Sequence, residues 1–531
     1  MFSQKTRRKK YSMKKLTLVV FSILVGIMVV FSVGVVAQEK GGTLVFGRGG
    51  DTVGLDPIQV TDGESFKVTQ QLYDTLVDYT PGTTEVEPAL ATDWEVSEDG
   101  LTWTFELRED VNFHDGNHFN AEAVKWNFDR WRLEDHPYHI GGEFTYYSYM
   151  FQGFPGIIQE VKVVDEYTVE FVLSEKQAPF LNNLAMVPFG IASPEAVKKY
   201  GEDYFKNPVG TGAYTLEEWR QGDRVILKAN ENYWRERAYL DKIVFRSIPD
   251  NSARFMELQA GTIDMMDGVS PEDVEAVEAS DEFKLSLRPS MNIGYFAMNF
   301  KFEPFDDVRV RRAFNHAIDK QAIIDAFYAG LAEPAKNPMP TSIWGYNDQI
   351  EPYEYNPEKA KELLAEAGYE DGFEFDLWYL PVPRPYIPQG KFIGQAIQSY
   401  LSEIGVTANL VTYDWSTYLD KTEHQEAPTY MLGWTGDNGD PDNFLYVLLD
   451  KTNSNNAYQS DELHEVLVEA QKTMDHDKRV ELYKEAQAII HQDAPWVPLV
   501  HSTPPIALKS NVENYIPNPT GTEKLHRVWK K

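Results

Sequence analysis

The chain contains no cysteine. That absence excludes disulfide staples, a thiolate nucleophile and every cysteine-based metal or cluster site. It also excludes a lipid-modified cysteine at a processing point, so a lipoprotein is not expected. Catalytic signatures are missing too: no G-x-S-x-G, G-x-x-x-x-G-K-[ST] or H-E-x-x-H occurs. His464-Glu465 begins like the last of these, but Val468 stands where the second histidine belongs, and an exposed helical pair is the better reading. Gly210-Thr211-Gly212 resembles part of a dinucleotide loop, yet no third glycine follows, which favours a turn. The eleven histidines show no ligand spacing. Neither a metal, nor a cofactor, nor enzymatic activity is therefore expected. A secreted hydrolase stays as an alternative, because paired carboxylates leave no sequence signature.

Basic residues are few, and unevenly placed. Lys5, Arg7, Arg8, Lys9, Lys10, Lys14 and Lys15 crowd the start without an acid, and an uncharged apolar run follows from Leu16 to Ala37. A basic head, an apolar middle and the small-residue exit Val35-Val36-Ala37 read as a signal peptide over residues 1–37. An uncleaved membrane anchor is the alternative, since the run is long enough to span a bilayer. Either reading puts the bulk of the protein in the periplasm or elsewhere outside the cytoplasm. Seven of the 50 basic residues lie in this leader; without them 43 oppose 82 acids, a formal charge of −39. Such a surface repels phosphate backbones and anionic headgroups, so neither nucleic acid nor a membrane surface is an expected partner.

No repeat, low-complexity tract or flexible linker divides the rest of the chain. Strand-like and helix-like runs alternate, the pattern of α/β lobes. Thr43–Arg48, Thr102–Leu107, Tyr167–Leu173 and Lys242–Ile248 read as strands. Asn356-Pro357-Glu358 opens a helix that Gly368 closes. Lys391–Ile404 is a second helix, Val406–Tyr413 the strand after it, and Trp496–His501 the last clear strand. Ser460–Asp493 is a helical stretch broken near Met474–His476. Nearly 500 residues exceed one core, and without a linker the lobes must join through crossovers between sheet-forming segments.

Two segments stand out chemically. The run Gly433 to Phe444 places Trp434, Thr435, Gly436 and Asp437 after the buried-looking strand Tyr430–Gly433, with Asp440 and Asp442 following. Three close acids suggest calcium, but the order of ligands in a calcium loop is missing, and a solvated turn is a stronger alternative. A third reading gives the glycines close approach to a ligand backbone, Trp434 a flat apolar wall and Asp437 one charge. The counterpart is Leu380-Pro381-Val382-Pro383-Arg384-Pro385-Tyr386, where Arg384 between two prolines is expected in an extended segment that aims its guanidinium. That planar fork suits a carboxylate; a pairing with one of the many surface acids is the equal alternative.

These and other segments carry a resemblance. Pro88-Ala89-Leu90-Ala91-Thr92-Asp93-Trp94, Phe113-His114-Asp115-Gly116, Asn207-Pro208-Val209-Gly210-Thr211-Gly212-Ala213-Tyr214 and Asp307-Val308-Arg309-Val310-Arg311-Arg312-Ala313 resemble landmarks of the family 5 solute-binding proteins of ABC importers. The Arg384 and Asp437 segments, with Trp344-Gly345-Tyr346-Asn347-Asp348, resemble its dipeptide-binding members. The resemblance implies a two-lobed α/β periplasmic-binding-protein fold of type II, with an enlarged first lobe over 41–289 returning at 503–531 and a second lobe over 290–502. It implies hinges near Met291–Tyr295 and Ser502–Thr503, a monomer, a small peptide as ligand and membrane permease subunits as partners. It makes Arg384 the carboxylate anchor and Asp437 the amine anchor, walled by Trp434 and Tyr386, with Gly433, Thr435 and Gly436 alongside. Thr61 and Gly63 would approach from the other lobe, although Asp62 and Glu64 depart from the dipeptide binders and add negative charge there. Glutathione, haem, nickel and oligosaccharide remain alternative ligands on such a scaffold, and a chaperone or sensor role is a further alternative.

Overall fold

Three sheets of four or more strands organise the described residues, beside two small two-stranded ones. The computed structural model describes residues 40–531; the signal peptide expected over 1–37 lies outside the described residues. Among the described residues no helix is long and apolar enough to cross a membrane.

The first sheet forms around Thr43–Arg48, whose branched and aromatic residues favour extended backbone. Seven strands lie in the order Phe283–Leu287, Pro505–Lys509, Met265–Met266, Thr43–Arg48, Lys242–Ser247, Arg224–Ala229 and Tyr214–Arg220. Thr43–Arg48 runs parallel to both neighbours, so three strands end at one edge. The second sheet has six strands: Ala332–Pro334, Trp496–Ser502, Asn292–Met298, Thr429–Thr435, Glu374–Trp378 and Thr407–Val411. Its central strand Asn292–Met298 is buried at every position, as is Trp496–Ser502. Both faces of these strands are covered, which is why the sequence there is a run rather than an alternation. The chain passes from the first sheet to the second over residues 288–291 and returns over 503–504. The third sheet, Ala91–Val96, Thr102–Leu107, Thr168–Leu173 and Ile158–Asp165, is antiparallel and has its own aromatic core around Phe105, Phe128, Phe171 and Phe180. It lies in the stretch between Arg48 and Tyr214 and enlarges the first part of the chain.

Expected elements form close to their expected bounds. Asn356 accepts from Lys359 N to cap Pro357–Glu366, and Gly368 takes the left-handed conformation (φ 90°) beyond it. The long helical stretch breaks into Asp461–Lys472 and His476–Asp493, with Asp475 capping the second. The family landmarks are scaffold. In the third, a Cβ at Gly210 would fall 2.3 Å from Leu72 O, and one at Gly212 2.4 Å from Leu72 C, so only glycine admits that backbone. His114 Nε2 bonds Gly212 O at 2.9 Å, tying the second landmark to the third. In the fourth, Arg311 and Arg312 donate to the backbone oxygens of Asp493 and Gln492, at 2.9 and 2.6 Å. They satisfy the end of the helix His476–Asp493, where carbonyls lack partners and a cation is favoured.

Candidate functional site

The acidic loop leaves the second sheet beside the first crossover. Antiparallel register sets Thr435 opposite Asn292 and Trp434 opposite Ile293, and Gly436 N donates to Met291 O at 2.8 Å. Asn443 then organises the turn: its Oδ1 accepts from Trp434 Nε1 at 3.0 Å and from Asp437 N at 2.9 Å. Its Nδ2 donates to Asp437 Oδ2 at 3.2 Å.

The three acids have different surroundings. Asp440 is buried and pairs with Arg479 Nη2 at 2.8 Å; that guanidinium also lies over Trp344. Asp442 accepts from Gln471 Nε2 at 3.2 Å, and burial, then the neighbouring Asp440 charge, pushes its carboxyl up to about 7. Asp437 accepts from Tyr146 Oη at 3.2 Å and from Asn443, both neutral donors. No lysine or arginine lies within ion-pair distance of it among the described residues. Burial pushes its carboxyl up to about 6, against the pull of those two hydrogen bonds. The acids thus point to three partners rather than to one centre, and no group of three His, Asp or Glu side chains among the described residues is arranged to hold a metal ion.

The Arg384 segment is a tight turn, not the extended stretch expected. Arg384 N donates to Ile387 O at 3.1 Å and Ile387 N to Arg384 O at 3.0 Å. Pro385 sits second in that four-residue turn, where its fixed φ is favoured, and this preference outweighs the extended bias of two prolines. The guanidinium lies over the Trp415 ring at 4.5 Å, contacts Pro383 O at 3.4 Å and is hydrogen-bonded to Tyr386. No carboxylate pairs with it, so the surface-pair alternative is not what forms.

Tyr386 joins the two segments. A Cβ at Gly433 would fall 2.2 Å from Tyr386 Cδ2, and one at Gly436 would fall 2.6 Å from Phe444 Cε2. On the side that a Cβ would take, both glycines are packed against protein rings. The packing sets Arg384, two residues before Tyr386, and Asp437, four after Gly433, on either side of one contact. Trp434 and Thr435 are half-buried beside it. Thr61 and Gly63 are exposed and hydrogen-bond neither segment. Between them Asp62 caps the helix Gly63–Leu72 by accepting from Ser65 N at 2.8 Å. That helix reaches the site through Phe66, whose ring meets Tyr146 edge-on at 5.4 Å.

Sequence reasoning missed Tyr146, Asn443 and Trp415. It also missed the contacts that dock the acidic loop onto the part of the chain carrying the third sheet. Asn438 Nδ2 donates to Asn183 Oδ1 at 2.7 Å, and Asn182 Nδ2 to Asn438 O at 3.1 Å. Gly439 (φ 71°) abuts Thr84, where a Cβ would fall 2.0 Å from the hydroxyl. Such partners lie more than 250 positions apart, and only the tyrosine-rich run Tyr146-Tyr147-Ser148-Tyr149 offered a local hint.

The chain matches the bacterial extracellular solute-binding proteins, family 5 Middle, over residues 85–456. The dipeptide-binding protein of Escherichia coli (strain K12) is 41% identical over 513 residues, covering 93% of this chain and 96% of that one. Heme-binding protein A of Haemophilus influenzae is 38% identical over 507 residues, covering 92% and 93%. Among solved structures, the ABC transporter-associated periplasmic binding protein DppA from Helicobacter pylori, in complex with peptide STSA, superposes with a TM-score of 0.83 at 37% identity. It covers 93% of this chain and 99% of its own. A dipeptide binding protein from Pseudoalteromonas sp. SM9913 in complex with Met-Leu gives 0.84 at 31%, covering 92% and 100%. With an α/β, two-lobed fold shared along almost their whole length, the chain belongs to the family 5 bacterial extracellular solute-binding proteins.

Proposed function

We propose that this chain is the substrate-binding component of an ABC importer, and that it captures free peptides, dipeptides foremost, by their two charged ends. The observation that carries this reading is the partly buried Asp437 carboxylate, which has only neutral donors. A desolvated carboxylate without a cation is costly, and a ligand ammonium supplies the missing charge. Arg384, stacked on Trp415 and free of any acid, supplies the complementary group for the ligand carboxylate. A dipeptide is a zwitterion whose charges lie one peptide unit apart, so two fixed anchors measure its length. Trp434 and Tyr386 wall the site, with Gly433, Thr435 and Gly436 as its floor and Thr61 and Gly63 facing from the other side.

In this reading residues 41–289 with 503–531 form one lobe and 290–502 the other. They close on the peptide by bending at the crossovers, and the closed form is recognised by permease subunits. The protein is exported by its leader, works as a monomer outside the cytoplasm and returns its ligand unchanged.

Calorimetry with a dipeptide, its N-acetylated form and its C-terminal amide tests the anchors. The wild type rejects both capped forms. Asp437→Ala stops discriminating against the acetyl cap while still rejecting the amide, and Arg384→Ala does the reverse. Each loses about 2–5 kcal/mol of binding to the free dipeptide, or roughly 30- to 3,000-fold in affinity. Equal binding of capped and free dipeptides by the wild type overturns the reading.

A further inference from the structure

We propose that a single water molecule is a built-in part of the second lobe, held by Asn315, Asn337 and Trp496. These three side chains line one cavity of about 20 Å³, which is room for one water and little else. All three are deeply buried, at 1%, 1% and 3% exposure. Each turns out one polar atom with no protein partner: Asn315 Oδ1, Asn337 Nδ2 and Trp496 Nε1. Their other groups are engaged. Asn315 Nδ2 donates to Trp496 O at 3.0 Å and to Arg311 O at 3.2 Å, and Asn337 Oδ1 accepts from Met339 N at 3.1 Å. Of the other polar groups of the lining, Tyr353 Oη donates to His491 O and Lys336 Nζ to Asp348 O.

Two donors and one acceptor left over on residues that line one small space suit a water molecule. Water can accept from both donors and donate to the acceptor, whereas N–H donors disfavour a cation. Buried polar groups left unmet destabilise a fold; one water satisfies all three. It bolts the helix Val308–Ala317, which carries the family landmark, to the strand Trp496–Ser502 and to the segment at 337. A crystal structure of the whole mature protein at about 1.5 Å resolution tests this. One ordered water is expected about 2.7–3.2 Å from all three atoms. An empty cavity, or direct bonding among the three side chains, overturns the proposal. Oxygen-17 relaxation dispersion checks it in solution. Asn337→Leu removes a donor and fills the space, so the variant should hold one fewer long-lived water than the wild type; an unchanged number overturns it.

A separate observation concerns the second crossover, and it rests on the peptide-terminus reading above. The geometry points to Ser502 as a positioning residue for Arg384. Ser502 Oγ lies 2.7 Å from Pro385 O and 3.0 Å from Asn292 Oδ1, and its one proton goes to the nearer acceptor. Asn292 is held independently, by Ser502 N at 3.0 Å and by its own Nδ2 donating to Ser502 O at 2.8 Å. The hydroxyl therefore ties the Arg384 turn to the point where both crossovers meet. Ser502→Ala should reduce the preference for a free dipeptide over its C-terminal amide by roughly three- to tenfold, the worth of about one hydrogen bond. Discrimination against the acetyl cap should stay as in the wild type, and Ser502→Thr should restore the amide preference. An alanine variant that rejects the amide as well as the wild type does overturns the assignment. A wild type that ignores both caps overturns the peptide-terminus reading, and this assignment with it.

Discussion

Asp437 and Asp440 stand three residues apart in one loop and have opposite surroundings. Asp440 is buried against Arg479, which also lies over Trp344 and reaches the Tyr483 hydroxyl at 3.0 Å. Asp437 is met by an amide and a phenol, and its carboxyl is held above its usual range. Chain composition does not separate them, since both directly follow a glycine in an acidic run. The difference lies in what the rest of the fold brings: a complete partner set to one, and an unbalanced charge to the other. A paired buried charge holds the loop, while an unpaired one is a place for a ligand's charge.

The largest test of that contrast is on stability. Arg479→Ala strands Asp440 beside Asp442 and should cost about 3–5 kcal/mol in urea unfolding, as breaking a buried pair does. Asp437→Ala should leave stability unchanged or slightly raised at neutral pH. The sign follows from linkage: a folded-state carboxyl pushed up to about 6 binds more protons than its unfolded counterpart between about pH 4 and 6. Its contribution to stability therefore falls as pH rises through that window, and at pH 7 the group destabilises the fold. If both variants unfold at the same denaturant concentration, the contrast between the two acids is false.

Much of the fold was legible because its causes are local. The cap at Asn356, the stop at Gly368 and the break at Asp475 each act within one turn of helix. The alternation of strands and helices follows from the same short-range signals. Asp437 and Arg384 could be singled out because an acid in a glycine-rich loop after a tryptophan and an arginine between prolines are uncommon company for a charge. What could not be read was who faces them. Tyr146 reaches Asp437 across 291 positions, and Trp415 reaches the Arg384 turn from the helix Trp415–Glu423. At Gly433 and Gly436 the side that a Cβ would take receives Tyr386 and Phe444. A missing Cβ says that something comes close; the sequence does not say what.

A smaller effect sharpens the comparison through pH. An ammonium binds the ionised Asp437, so below about pH 6 one proton must leave the free protein for each peptide bound. Dipeptide affinity should fall by about tenfold per pH unit there, the worth of one proton at roughly 1.4 kcal/mol per unit. Asp442, pushed up to about 7, titrates nearby and faces Gln471, Asp440 and Arg479. Asp437→Asn separates the two: it should abolish the step near pH 6 if Asp437 is its source. Calorimetry in buffers of different ionisation heat should register proton release on binding at pH 5.5, almost none near pH 7, and proton uptake by the peptide's own amine at pH 8. A step that persists in Asp437→Asn assigns it to another group.

The smallest effect expected is at Trp415, which touches the guanidinium of Arg384 and nothing of the acidic loop. A cation over an indole face is worth about 0.5–2 kcal/mol, less where solvent reaches it. Arg384 and Trp415 are both half-buried, which places the effect at the lower end. Trp415→Ala frees the side chain of Arg384 to sample other rotamers, so part of the loss is the entropy of fixing it again on binding. Affinity for a free dipeptide should fall by about three- to tenfold, with the amide still rejected because the guanidinium is still present. Trp415→Phe keeps a ring face and should recover most of the loss. If Trp415→Ala binds as the wild type does, the stack does not orient the guanidinium. The burden of aiming Arg384 then falls on the turn itself and on its anchors: Ser502, the packing of Tyr386 against Gly433, and Tyr328, whose hydroxyl donates to Tyr386 O at 2.8 Å.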